Sequence, residues 1–218
     1  MMRPDDRPTT PDEAAEALLE GNGRFSRDEP AHPRLGAELR ASLSTSQDPF
    51  AAVLGCADSR VAPELIFDQG IGDLFVCRVA GNVVPPSIVS SMSFAVDSLG
   101  VDAIVVLGHQ GCGAVAAAVQ VARGRRSHDE MAVVIDEILP AVEAVLRDDP
   151  DIDDDELYRR AIDANVRRVA SRLVRLSPTI SAALAAGEVR VMCGRYDLDG
   201  SVTIFEPDGS VAVLDDGP

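Results

Sequence analysis

Ala103-Ile104-Val105-Val106-Leu107 runs straight into Gly108-His109-Gln110-Gly111-Cys112-Gly113, after which Ala114 to Arg123 is apolar and rich in alanine. Five consecutive apolar residues predict a strand buried on both faces, the glycines a tight loop, and the alanine-rich run a helix. Upstream, Ser87 to Leu99 carries Ile88, Met92, Ala95, Val96 and Leu99 at helical spacing and closes at Gly100. Before it, Leu74 to Ala80 forms a second apolar run, and Phe50 to Gly55 a third that ends at Cys56. The alternation of strand, helix, strand, loop and helix predicts an α/β fold with a mostly parallel central sheet flanked by helices.

Further outward the signals are local. Pro11 to Phe25 has Ala14, Ala17, Leu18 and Leu19 at helical spacing behind Thr10 and Asp12, with a stop expected at Gly21. It reads as a helical arm within residues 1–30, followed by a short helix near Leu35 to Leu43. Two longer helices are expected at about 129–147, bent by Pro140, and at 156–176. The acidic stretch Asp148 to Asp155 between them offers no register with both the sixth-position Gly and twelfth-position Glu of an EF-hand loop, so it reads as a solvated connection. Val189 to Cys193, Val202 to Glu206 after the turn Asp199-Gly200-Ser201, and Val211 to Leu214 are expected at a sheet edge. No Pro/Gly/Ser-rich linker divides the chain, so residues 1–218 are expected to form a single domain.

Composition narrows the chemistry. Hydrophobic residues make up 46% of the 218 and aromatic residues 4%, so the core is built from Ala, Val, Leu and Ile. All 20 basic residues are arginine, which excludes Schiff-base lysines and the lysine of a P-loop. A formal charge of -16 argues against nucleic acid and anionic membranes as partners. No apolar run reaches membrane-spanning length and the amino terminus lacks a signal-peptide pattern, which leads to the expectation of a cytoplasmic protein. There, four cysteines are expected as metal ligands or core residues rather than disulfides.

His109-x-x-Cys112 brings an imidazole and a thiolate from one tight turn to one ion, and zinc favours such donors in a tetrahedral shell. Cys56 supplies a third ligand if its strand lies parallel and adjacent to 103–107, since both loops then open at the same end of the sheet. Beside it, Cys56-Ala57-Asp58-Ser59-Arg60 places a carboxylate and a guanidinium close to that ligand, where they can pair in a bidentate, directed way. Cys77 and Cys193 sit in apolar runs and read as core. His32 and His128 read as solvated, and Gly81 and Gly113 as points of close backbone approach.

Three ordered segments, Cys56-Ala57-Asp58-Ser59-Arg60-Val61, Arg78-Val79-Ala80-Gly81-Asn82 and Gly108-His109-Gln110-Gly111-Cys112-Gly113, resemble the β-class carbonic anhydrases. Weaker similarity extends from about Glu13 through Asn165-Val166 to Tyr196-Asp197-Leu198. The resemblance implies Zn2+ on Cys56, His109 and Cys112, with Asp58 and Arg60 as catalytic groups and reversible hydration of carbon dioxide to bicarbonate by a metal-bound hydroxide. Asp58 is also implied as a fourth ligand in a closed state. Gln47, nine positions before Cys56, matches the substrate-binding glutamine of the plant-like, type I subgroup. Phe75 and Phe94 match its apolar substrate contacts, contributed with Gln47 across a subunit boundary. Val53 stands where the other subgroup has a Trp, although Arg78 and Tyr196 match the rest of its bicarbonate set, so that regulatory pocket is expected to be absent or weak. A homodimer or homotetramer is implied, with the amino-terminal helix over the partner. The same ligands also suit a carbon disulfide or carbonyl sulfide hydrolase, or a noncatalytic zinc-binding protein; intact Asp58, Arg60 and Gln47 argue against the last.

Overall fold

The computed structural model describes residues 7–127 and 131–205. Among them, β1 (Ala51–Cys56), β2 (Leu74–Val79), β3 (Ala103–His109), β4 (Arg190–Tyr196) and β5 (Val202–Phe205) form one sheet in the order β2-β1-β3-β4-β5. The first four are parallel, and β5 closes one edge antiparallel to β4. β1 and β3 are buried at every position, the pattern of a strand covered on both faces.

Alternation along the strands divides the core. Ala52, Leu54, Ile104, Val106, Val191 and Cys193 point to one face, where α4 (Pro86–Asp97), α7 (Asp154–Leu176) and α8 (Pro178–Ala186) pack. Ala51, Val53, Ala103, Val105 and Met192 point to the other, under α1 (Pro11–Ser26) and α3 (Pro63–Ile66). α5 (Gly113–Ala122) and α6 (Ala132–Asp148) pack with the first half of α7 beyond the carboxyl ends of the strands, and α2 (Ala37–Ser42) buries nothing.

Several expectations are refined. α1 does not stop at Gly21 but continues to Ser26; a Cβ at Gly21 would lie 1.8 Å from the Phe67 carbonyl oxygen, so glycine serves close packing there rather than termination. One face of α1, with Ala14, Ala15, Ala17 and Leu18, is buried against its own sheet. Asn22 tethers it further, donating to Ile66 O and Gly200 O and accepting from Val202 N–H. The end of the acidic stretch caps α7, with Asp153 accepting from the amides of Asp155 and Glu156. β3 and β4 run further than expected, to His109 and Tyr196, and α6 accommodates Pro140. α8 went unforeseen despite its signals, Ser177 as cap, Pro178 at the first turn and left-handed Gly187 at the end. Glu206, the expected strand Val211 to Leu214, His128 and the first two residues of the helix expected at 129–147 lie outside the described residues.

Candidate metal centre

The chain leaves β1 toward β2 on one side and leaves β3 toward β4 on the other, so their carboxyl ends flank the switch point of the sheet. Cys56 ends β1 and His109 ends β3. Cys112 follows after the turn at Gly111, at the amino terminus of α5. Their ligand atoms lie within 4.8 Å of one another and all three residues are buried.

The imidazole is set for ligation. Its Nδ1 lies 2.9 Å from Gln110 O, which favours the tautomer with the proton on Nδ1, and buried Nε2 has no hydrogen-bond partner. Cys56 Sγ accepts from the amides of Gly81 at 3.3 Å and Asp58 at 3.5 Å. Contact with Cys112, followed by the neighbouring His109 and these amides, holds Cys56 well below the usual thiol range. Contact with Cys56, together with burial, holds Cys112 above it. Two buried sulfurs beside an imidazole nitrogen that has no hydrogen-bond partner are positioned to bind a metal ion, and the donor set fits zinc.

Arg60 N–H and Nε–H donate to Asp58 Oδ1 at 3.0 and 2.9 Å, while Nη2–H donates to Oδ2 at 2.8 Å and to Gly111 O at 2.9 Å. One guanidinium therefore joins the Cys56 loop to the Cys112 loop. Hydrogen bonds from Arg60 hold Asp58 far below the ordinary carboxylate range. Arg78, exposed on β2, donates to Cys56 O at 2.9 Å and Asp58 O at 2.6 Å, supporting that loop from the other side.

Gln47, Phe75 and Phe94 are not brought to these ligands within one protomer. Phe75 pairs in register with Ala52, four residues before the Val79–Cys56 pair and so ~13 Å along the sheet. Its ring lies 6.2 Å from that of Phe94, which is 46% exposed on α4. Gln47 is exposed in the loop entering β1 at the end opposite Cys56. Cys77 and Cys193 fill core as expected, and His32 is exposed. Gly81 does serve a close approach, whereas a Cβ at Gly113 would meet nothing within 4 Å.

A family model described as Carbonic anhydrase matches residues 51–202, a span that includes all three ligands. The β-carbonic anhydrase CafA of Aspergillus fumigatus superposes with a TM-score of 0.71 at 26% identity, over 88% of this chain and 90% of that one. The chain belongs to the β-class carbonic anhydrase family. Carbonic anhydrase 2 of Mycobacterium tuberculosis (strain CDC 1551 / Oshkosh) is 40% identical over 192 residues, 88% of this chain and 90% of its own. One of two tetrameric β-carbonic anhydrases of Sordaria macrospora matches with a TM-score of 0.63 at 25% identity, over 87% of this chain and 95% of its own. Sequence motifs brought the ligands, Asp58 and Arg60 into view. They did not reveal Tyr158, whose hydroxyl donates to Cys112 O at 3.2 Å, or Gln110, whose amide donates to Tyr196 O at 2.8 Å.

Proposed function

We propose that this chain is a zinc carbonic anhydrase that interconverts carbon dioxide with bicarbonate and a proton. Convergence of Cys56, His109 and Cys112 at the switch point of the sheet, beside an Asp58 held ionised by Arg60, carries this reading. Two thiolates and one imidazole suit zinc over harder cations. When bound, the ion supplies the Lewis acidity that makes water a nucleophile near neutral pH.

The protein's own groups provide direction. Asp58 accepts a hydrogen bond from the attacking oxygen and so aims its lone pair at the carbon, while Arg60 keeps the carboxylate ionised and immobile. Both Asp58 oxygens are engaged by Arg60, which supports a role for Asp58 in orienting the attacking oxygen rather than in holding the ion. Gln47 donates to substrate and Phe75 with Phe94 forms an apolar wall, both reaching the centre of a second copy. Their distance from the ligands of their own protomer supports this shared arrangement, as in the plant-like subgroup, assembled as a dimer or tetramer. Arg78 is engaged by loop carbonyls and Val53 is wholly buried, which supports the absence of a regulatory bicarbonate pocket. We read residues 1–218 as one domain. We read the protein as cytoplasmic, with its cysteines serving as metal ligands or core residues rather than disulfides.

The test is stopped-flow hydration by zinc-loaded protein of measured metal content, with carbon disulfide and carbonyl sulfide as parallel substrates. Hydration of carbon dioxide far above the sulfur substrates is expected; a rate equal to buffer would overturn the proposal.

A further inference from the structure

α7 touches all three ligand segments with one face. Tyr158, Ile162, Asn165 and Val166 fall at helical spacing toward the sheet. The Tyr158 hydroxyl donates to Cys112 O at 3.2 Å. Ile162 and Val166 press on Gly108, where a Cβ would lie 2.5 Å from Val166 Cγ2, so the helix abuts the strand just before His109. Asn165 Nδ2 donates to Gly81 O at 3.1 Å, and the Gly81 amide donates in turn to Cys56 Sγ at 3.3 Å.

Asn165 is 1% exposed amid Ala161, Ile162, Val166 and Val169. An Asn there is a poor helix former and costs desolvation unless its amide finds a partner. The partner it has is the turn that faces the first metal ligand. Gly81 is left-handed, with φ 67° and ψ 18°, and a Cβ would lie 2.6 Å from Ile138 Cδ1. Holding its carbonyl from α7 keeps its N–H aimed at the sulfur.

We propose that Asn165 is a positioning residue for the metal centre, acting through the Gly81 turn on the Cys56 thiolate, with Tyr158 holding the Cys112 carbonyl in a lesser parallel role. This rests on the zinc reading above. An N–H donor to a metal thiolate draws charge from sulfur and orients its lone pair, so losing it loosens the ligand.

The experiment compares unmodified protein, Asn165→Leu and Tyr158→Phe by zinc release to a chelating dye, the thiolate-to-cobalt charge-transfer band of the Co2+ form, and melting of the metal-free proteins. Asn165→Leu is expected to release zinc roughly 10–100-fold faster, with the band moved to longer wavelength. Tyr158→Phe is expected to release it a few-fold faster, with the band unmoved, because its bond reaches a carbonyl rather than sulfur. Unchanged release and an unmoved band in Asn165→Leu, with only a lower metal-free melting temperature, would reduce Asn165 to a packing role. Asn165→Ala adds no branched side chain and carries the same expectation should the Leu variant not fold. Absence of metal in the unmodified protein would sink the zinc reading itself, whereas equal release from variant and unmodified protein sinks only this inference.

Discussion

The Arg60 guanidinium grips Asp58 by both carboxylate oxygens and, through Nη2, also binds Gly111 O on the opposite ligand loop. Asp58→Asn keeps the shape but loses the charge that orients the attacking oxygen. A fall of about 10²-fold or more in kcat/KM is expected with zinc content unchanged. Arg60→Lys loses the planar fork and is expected to cost ~tenfold or more. Steady-state hydration kinetics beside metal analysis checks both, and full activity in Asp58→Asn would remove Asp58 from the chemistry.

Metal removal should expose how the site and the sheet divide the stability. Cys56 and Cys112 belong to the cluster under α5, α6 and α7, apart from the two cores on the faces of the sheet, so chelated protein is expected to keep its far-ultraviolet circular dichroism while melting earlier. Zinc at a hundredfold excess over its Kd adds ~2.7 kcal/mol, roughly 5–10 °C for a chain of this size. Cys112→Ser is expected to lose stoichiometric metal and this increment together. Calorimetry with and without zinc would show no difference if the triad held no ion.

Asp73 gives a pH signature of known sign. Burial raises its carboxyl above the ordinary range despite the Gly70 amide and Arg34 nearby. The folded state therefore holds this proton more tightly than the unfolded chain, and the associated stability, complete below the unfolded value, is lost as pH rises through the folded one. Asp73→Asn removes that slope. Denaturant unfolding from pH 4 to pH 7 is expected to move the difference progressively in the variant's favour; movement the other way would mean that the ion pair outweighs burial. Asp58 has the opposite sign: its contribution is complete above the unfolded carboxylate value and is lost as pH falls below that toward the depressed folded one.

Phe94 is 46% exposed beside Phe75 on a helix that fully buries only Met92 and Ala95. A charge at this position meets no core of its own protomer. Phe94→Glu is expected to shift sedimentation toward monomer and lower hydration in parallel, with activity returning partly at high protein concentration. Unchanged mass and rate would disconnect this face from both assembly and catalysis.

Gly21→Ala forces a methyl to within 1.8 Å of the Phe67 carbonyl oxygen unless α1 moves. A loss of about 1–3 kcal/mol is expected in chemical unfolding, because the neighbour is backbone and yields little. No loss would mean that α1 shifts freely on the sheet.

Helix termini show which boundaries are legible in a chain and which are not. Ser177, Pro178 and Gly187 carry standard cap chemistry, yet α8 is too short and uniformly apolar for periodicity to announce it. Gly21 misled in the other direction, since glycine in a helix looks like an ending unless the backbone pressed against it is known. The length of β3 was hidden for a similar reason: Gly108 and His109 look like loop residues, and only pairing with Arg195 and Tyr196 makes them strand.

Sequence alone determined the parallel α/β class and the donor set. Unbroken apolar runs identify doubly covered strands, and Cys56, His109 and Cys112 with Asp58 and Arg60 are few, ordered and chemically specific. Tertiary structure alone decided what surrounds the centre. Arg78 on the Cys56 loop, Tyr158 on the Cys112 carbonyl and Asn165 on the Gly81 turn act across 20 to 84 positions of chain. Local pattern carries no trace of such partners, because a hydrogen bond between distant segments depends on how helices settle against the sheet.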